Sequence, residues 1–182
     1  PDRRTASYPR SAVGQAGFHQ ADTSCPIAAG TWEAAYWSAQ SAVHGADLMA
    51  AGEQAAYVLS RPPGHHAFAD LAGGFCFLNN SGIAAERLLK AGKRPAILDI
   101  DVHHGNGTQG IFYERGDVLT VSLHADPVRF YPFFWGHGHE RGEGAGRGCN
   151  LNLPLARGTG DDEYLKTLET AFDHIRAFGR LR

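Results

Sequence analysis

Apolar residues occur along this chain in two patterns, spaced stripes and short unbroken runs, and each predicts a different element. Residues 1–30 show neither pattern; they are rich in Gly, Ala, Ser and Pro and read as loop or irregular chain. From Thr31, a candidate N-cap, the residues Trp32, Tyr36, Val43 and Leu48 form a stripe. It predicts a helix with those side chains in the core, ended by Gly52. Residues 55–60 read as a buried strand, stopped by Arg61-Pro62-Pro63-Gly64, and the loop that follows carries His65 and His66. Asn79 or Asn80 can cap a helix that runs to about Lys90 and ends at Ala91-Gly92. A strand at about 95–101, a short helix near 107–114, a strand over 118–123 and an extended piece over 151–153 come next. Residues 161–177 form an amphipathic helix with Asp161 or Asp162 near its N-cap. Residues 125–149 read as a long loop rich in Gly, Pro and aromatic residues, of the kind that borders active sites. Strands alternating with helices predict a parallel sheet flanked by helices. Ligands of such sheets bind at the carboxyl ends of the strands, where His65-His66 and His103 fall. There is no internal repeat and no low-complexity tract.

Composition narrows the class. A chain of 182 residues suits one domain with a sizeable core, and 43% hydrophobic with 20% charged residues is the balance of a soluble globular protein. A net charge of -2 gives no general attraction for nucleic acid or anionic membranes, and no apolar run is long enough to span a bilayer. Residues 1–4, Pro-Asp-Arg-Arg, lack the apolar core of a secretion signal. Cys25, Cys76 and Cys149 are far apart and odd in number, which fits a reducing cytoplasm better than a disulfide framework.

The candidate chemistry is concentrated in Ile97-Leu98-Asp99-Ile100-Asp101-Val102-His103-His104. If the strand runs through this stretch, Asp99, Asp101 and His103 point to one side. Two neighbouring carboxylates are costly to bury without a cation between them, and a divalent metal held by Asp oxygen and His nitrogen is the simplest such cation.

Four segments together carry a resemblance: Arg61-Pro62-Pro63-Gly64-His65-His66, Gly73-Gly74-Phe75-Cys76-Phe77-Leu78-Asn79-Asn80, Asp99 to Gln109, and Val121-Ser122-Leu123-His124-Ala125-Asp126-Pro127. Their order and spacing resemble the histone deacetylase superfamily, most closely its bacterial acetylpolyamine amidohydrolase branch, over roughly residues 22–179. The resemblance implies an α/β chain with the three-layer arginase/deacetylase-like fold and a mainly parallel sheet, incomplete at both ends. It implies a zinc-dependent hydrolase of acetylated amines: acetylpolyamines first, acetyl-lysine second. Asp101 and His103 match two of three zinc ligands. His65 and His66 match tandem catalytic histidines, the second a general base and then acid, the first mainly electrostatic. Asp99 and Asn106 match the partners that orient them, and an Asn in place of Asp leaves His66 less cationic. Asp99, Asp101, His103, Ser122 and Leu123 match a monovalent-cation site, potassium by type. Gly74, Phe75 and Tyr131 match the substrate passage, the two aromatics as its walls. Asp22 lies near a position where the family often carries an acidic rim residue.

The third zinc ligand and the transition-state Tyr of that family lie beyond Arg182, so the chain reads as a fragment, impaired as a deacetylase on its own, with an exposed sheet edge. Pairing with a second copy through the 125–149 loop is the expected association; neither nucleic acid nor membrane is expected as a partner. Two other readings compete. A binuclear manganese ureohydrolase would need a carboxylate two residues after His103, where Gly105 stands. A catalytically inactive module would bind acylated amines or a partner subunit. Elsewhere the plainer readings are favoured: His104 as a structural neighbour of the site, His137 and His139 as a solvated loop, and Cys76 as packing at the pocket floor.

Overall fold

The computed structural model describes residues 7–180; the stretch over residues 1–4 considered above lies outside them. Three strands, β1 (Ala96–Asp99), β2 (Leu119–Ala125) and β3 (Asn150–Leu155), pair in parallel in the order β1-β2-β3. The helices are α1 (Ala12–Phe18), α2 (Thr31–Ala51), α3 (Asn80–Lys90), α4 (Asn106–Phe112) and α5 (Asp161–Arg180). The sheet is the middle of three layers, as the α/β expectation requires. On one face Leu119, Val121, Leu123 and Leu151 pack against Ala171 and Phe178 of α5. On the other, Ile97 and Val118 meet Ala85 of α3 and Phe112 of α4. Burying a side chain the size of Phe112 contributes about 1.5–3 kcal/mol. Three acidic residues, Asp161, Asp162 and Glu163, occupy the first turn of α5, where they favour the positive end of the helix dipole.

The two faces of β2 differ in chemistry. Residues 119, 121 and 123 are apolar, while Thr120, Ser122 and His124 are buried and polar. That polar side is satisfied internally. Ser122 Oγ bonds His124 Nδ1 at 2.8 Å, His124 Nε2 bonds the Gly136 carbonyl at 2.8 Å, and Thr120 Oγ1 donates to Asn150 Oδ1 at 2.6 Å.

Five expectations change. Residues 1–30 contain α1, whose N-cap Ser11 Oγ accepts from Gly14 N at 3.1 Å. It buries no residue, which is why no apolar stripe marks it. In α2 most of the stripe chosen from the sequence faces outward: Trp32 is 70% exposed, Tyr36 and Leu48 are exposed too, and Val43 is half-buried. The buried side is Ala35, Ser38, Ala39, Ala42, Gly45 and Ala46, whose small side chains let α3 and the 55–60 segment approach the helix backbone. A Cβ on Gly45 would run into Val58. Thr31 is the first residue of α2 and not its cap; Gly30 takes that place, and Thr31 Oγ1 accepts from Ala28 N at 2.9 Å. Residues 55–60 form no strand and Tyr57 is 90% exposed; no partner strand lies beside them among the described residues. Finally, β1 stops at Asp99, so Asp101 and His103 stand in the loop after the strand.

Candidate active site

That loop repeats a local device. Asp99 Oδ1 accepts from Asp101 N at 3.0 Å, and Asp101 Oδ1 accepts from His103 N at 2.8 Å. Each aspartate thus bonds the amide two residues on, the Asx turn that short carboxylates favour. Strand alternation therefore does not align Asp99, Asp101 and His103; two consecutive Asx turns give the spacing its effect.

The tandem-histidine loop is pinned from both sides. Asn79 Nδ2 donates to the Ala67 carbonyl at 2.9 Å, and Asn80 Nδ2 to the Pro62 carbonyl at 3.1 Å and to Ser38 Oγ at 2.9 Å. From α4, Thr108 N donates to the His65 carbonyl at 3.1 Å. A Cβ at Gly107 would overlap the Ala67 carbonyl, so only glycine allows the helix to start this close. The result is two parallel pairs: His65 Nδ1 to Asp99 Oδ2 at 2.8 Å and His66 Nδ1 to Asn106 Oδ1 at 2.8 Å, with the imidazole centroids 3.9 Å apart.

Both partners favour the charged form of their ring, but the net shifts run in opposite directions. Burial works against a charge on His65, but the hydrogen bond to Asp99 and the charges of Asp99 and Asp101 outweigh it, and its pKa rises. Burial lowers His66 to about 4, the charge of His65 adds to that, and the Asn106 amide offsets only part. An amide oxygen only accepts, so His66 carries its proton on Nδ1 and is left with a free base at Nε2. On Asp101, burial raises the pKa, yet the His103 amide and the neighbouring imidazoles together lower it.

Asp101 Oδ1 and His103 Nδ1 lie 3.1 Å apart. An oxygen and a nitrogen at the mouth of the site are the donor types zinc takes, and Asp101 and His103 fit as a partial set. Among the described residues no group of three His, Cys, Asp or Glu gathers as a metal site. Asp99 stands beside Ser122 across the β1-β2 ladder, and a cavity of about 10 Å³ lies between them, lined also by His104 and Thr120. Leu123 follows Ser122 on β2 and is buried in the opposite face. A carboxylate at 105 has no room, since any Cβ there would strike Asp99 Oδ2.

Phe75 and Tyr131 are placed by loops. Gly73 and Cys76 exchange hydrogen bonds, N to O at 3.1 Å and 2.8 Å, closing a two-residue turn with φ of +51° at Gly74 and +68° at Phe75. This is the left-handed region, costly for Phe, and the turn leaves its ring 66% exposed. A Cβ on Gly74 would collide with the His66 ring. Tyr131 stands edge-on to His66, with centroids 4.9 Å apart at 88°.

Several contributors were not recognised in the sequence. Phe130 stacks on His103 at 5.0 Å and 22°. Glu140 Oε2 accepts from Gln109 Nε2, Gly136 N and Asn152 Nδ2 at 2.8, 2.8 and 3.0 Å, tying the 125–149 loop to α4 and β3. The local signal for Glu140 was a lone acid in a Gly/His-rich loop, which points nowhere by itself. His104 is buried against His124, centroids 4.6 Å apart, with a structural position. Burial raises the Cys76 thiol to about 12, which keeps it unreactive.

A sequence profile of the histone deacetylase domain matches residues 3–179. The acetylpolyamine amidohydrolase of Mycoplana ramosa is 51% identical over 181 residues, covering 98% of this chain and 53% of that protein. Acetylpolyamine amidohydrolase 1 of Pseudomonas aeruginosa is 51% identical over 177 residues, 97% of this chain and 51% of its own. The crystal structure of the acetylpolyamine aminohydrolase from Burkholderia pseudomallei superimposes with a TM-score of 0.93 at 50% identity, covering 96% of this chain and 51% of that one. The chain spans about half the length of the relatives it matches.

Proposed function

The chain belongs to the histone deacetylase family, and from that premise we propose that it carries the proton-transfer half of an amide hydrolase acting on acetylated amines. The observation that carries this reading is the contrast between the two imidazoles: His65 on a carboxylate, His66 on a neutral amide, side by side. A free base at His66 Nε2 suits removal of a proton from an attacking water and its later delivery to the leaving amine. His65, held by Asp99 with its pKa raised, favours positive charge beside the reacting carbonyl. Asp101 and His103 would hold zinc, which when bound supplies a Lewis acid and a more acidic water. Asp99, Asp101, His103, Ser122 and Leu123 would hold a potassium ion that offsets the paired carboxylates; the adjacency of Asp99 and Ser122 supports it.

Aromatic side chains crowd the approach: Phe75, Phe130, Tyr131, Phe133 and Phe134. Such faces grip an alkyl chain and exclude water, which suits an acetylated polyamine ahead of an acetyl-lysine peptide. Phe133 and Phe134 are exposed in the 125–149 loop, where a second copy would narrow the mouth further. Three free cysteines support a reducing, cytoplasmic setting.

The test is acetate release by the whole protein, loaded with zinc, from N-acetylputrescine and from an acetyl-lysine peptide. Faster release from N-acetylputrescine, abolished by Asp101→Ala, is expected; no release from either substrate overturns the proposal. The two-donor metal set favours a second reading for the 182 residues alone, that of a module binding acylated amines or a partner without turnover. Activity of these residues near that of the whole protein would overturn it.

A further inference from the structure

Asp22 gathers three segments that are distant in sequence. Its Oδ2 accepts from the Tyr131 hydroxyl at 2.6 Å and from Gly74 N at 3.0 Å, and its Oδ1 accepts from Ser24 N at 2.7 Å. The segment carrying it is anchored next to the same turn: Ala21 N donates to the Ala72 carbonyl at 2.7 Å, and Ala72 N to the His19 carbonyl at 2.8 Å. Cys25 Sγ reaches the Cys76 carbonyl at 3.5 Å. Two of the three groups that Asp22 holds, Tyr131 and Gly74, lie against His66. Tyr131 is edge-on to that ring and to the His103 ring, with centroids 4.9 Å and 5.9 Å apart. The Gly74 backbone lies so close to His66 that no Cβ fits between them.

We propose that Asp22 is a positioning residue that clasps Tyr131 and Gly74 together against His66 and so sets the width of the aromatic passage to the tandem histidines. This rests on reading the site as an acyl-amine hydrolase. It differs from a rim carboxylate that takes substrate directly, because both oxygens of Asp22 already hold partners from its own chain. A carboxylate bonded by a phenol and two amides is a strong link, since hydrogen bonds to a charged acceptor exceed neutral ones. Without it Tyr131 gains freedom to swing from His66, and a thin alkyl chain loses its close wall before a bulky peptide does.

The test uses the whole zinc-loaded protein with Asp22→Asn, Tyr131→Phe and the double variant. KM for N-acetylputrescine should rise about five- to tenfold in each single variant with kcat within about twofold, and the acetyl-lysine peptide should be affected less. The double variant should be no worse than the poorer single one, because both remove one link. Additive losses, a fall confined to kcat, or an unchanged KM in both single variants would overturn the clasp. Tyr131→Phe removes a single oxygen and keeps the test alive if Asp22→Asn fails to fold. Hydrogen exchange of the Gly74 amide gives a readout independent of turnover: protection in the parent, lost in Asp22→Ala, which has no acceptor, and kept in Tyr131→Phe. Equal exchange in parent and Asp22→Ala overturns the clasp, whereas a protected amide in a protein without deacetylase activity overturns the functional reading alone.

Discussion

The Nδ1 of His66 lies 2.8 Å from the amide oxygen of Asn106, an uncharged partner that offsets only part of the burial that keeps the ring neutral. His66 titrates at about 4, with burial as the main cause and the charge of His65 next. Replacing Asn106 with Asp puts a negative charge at the same place and stabilises the imidazolium. The His66 pKa should therefore rise, and a general base is lost when protonated. The acid limb of kcat/KM against pH, measured on the whole zinc-loaded protein, should move to higher pH in Asn106→Asp. An unmoved limb would show that His66 is not the base.

Buried histidines also make stability depend on pH. Burial, reinforced by the charge of His124, depresses His104 to about 3, and burial lowers His124 as well. An unfolded His titrates near 6.5. Below that value the unfolded chain binds protons the folded chain refuses, so stability is full above about pH 6.5 and falls as pH drops toward about 3. One such group contributes a slope of up to about 1.4 kcal/mol per pH unit. Urea midpoints of the metal-free protein should decline across that window, and His104→Asn should flatten the decline. A parent protein equally stable at both ends of the window would contradict this.

Phe75 sits at φ +68° beside Gly74 at +51°, where a bulky side chain is strained by roughly 1–2 kcal/mol. Asn tolerates that conformation. Phe75→Asn should raise the melting temperature by about 2–4 °C and, by removing a wall ring, raise KM for N-acetylputrescine. Melting curves and initial rates on the same sample check both halves; a lowered melting temperature would mean that the exposed ring contributes packing that outweighs its strain.

The parts of this site that were legible in the sequence are local. His65-His66 and Asp99 to Asn106 are short motifs whose residue types and spacing name their chemistry before any contact is known. The helix Asn80–Lys90 was legible because Asn79 caps it and Gly92 adopts the left-handed turn that ends it. What was missed depends on long-range fit. Asp22 and Tyr131 are 109 positions apart, and nothing in either segment announces the bond. The face of α2 was misread because large apolar side chains suggested the core, while close helix packing selected the Ala and Gly side. The strand over 55–60 has the right residues but no partner to pair with among the described ones, and a strand exists only as a pair.

A final prediction concerns that unpaired side. Among the described residues β1 is bonded only to β2, so its other edge is open. The open edge borders a cleft of about 800 Å³ lined by Ile97, Leu98, Val58, Ala42 and Leu88. Tyr57 and Leu59 flank it on the 55–60 segment, and Leu59 is 77% exposed. An open strand edge beside exposed apolar side chains recruits other strands or other copies. The 182 residues alone should therefore self-associate as concentration rises, seen as an increasing sedimentation coefficient. Tyr57→Lys with Leu59→Lys places like charges on the segment without touching a buried contact, and should hold the chain monomeric at concentrations where the parent associates. A parent chain that stays monomeric throughout, or a double variant that associates as readily, would show that this edge is not the adhesive one.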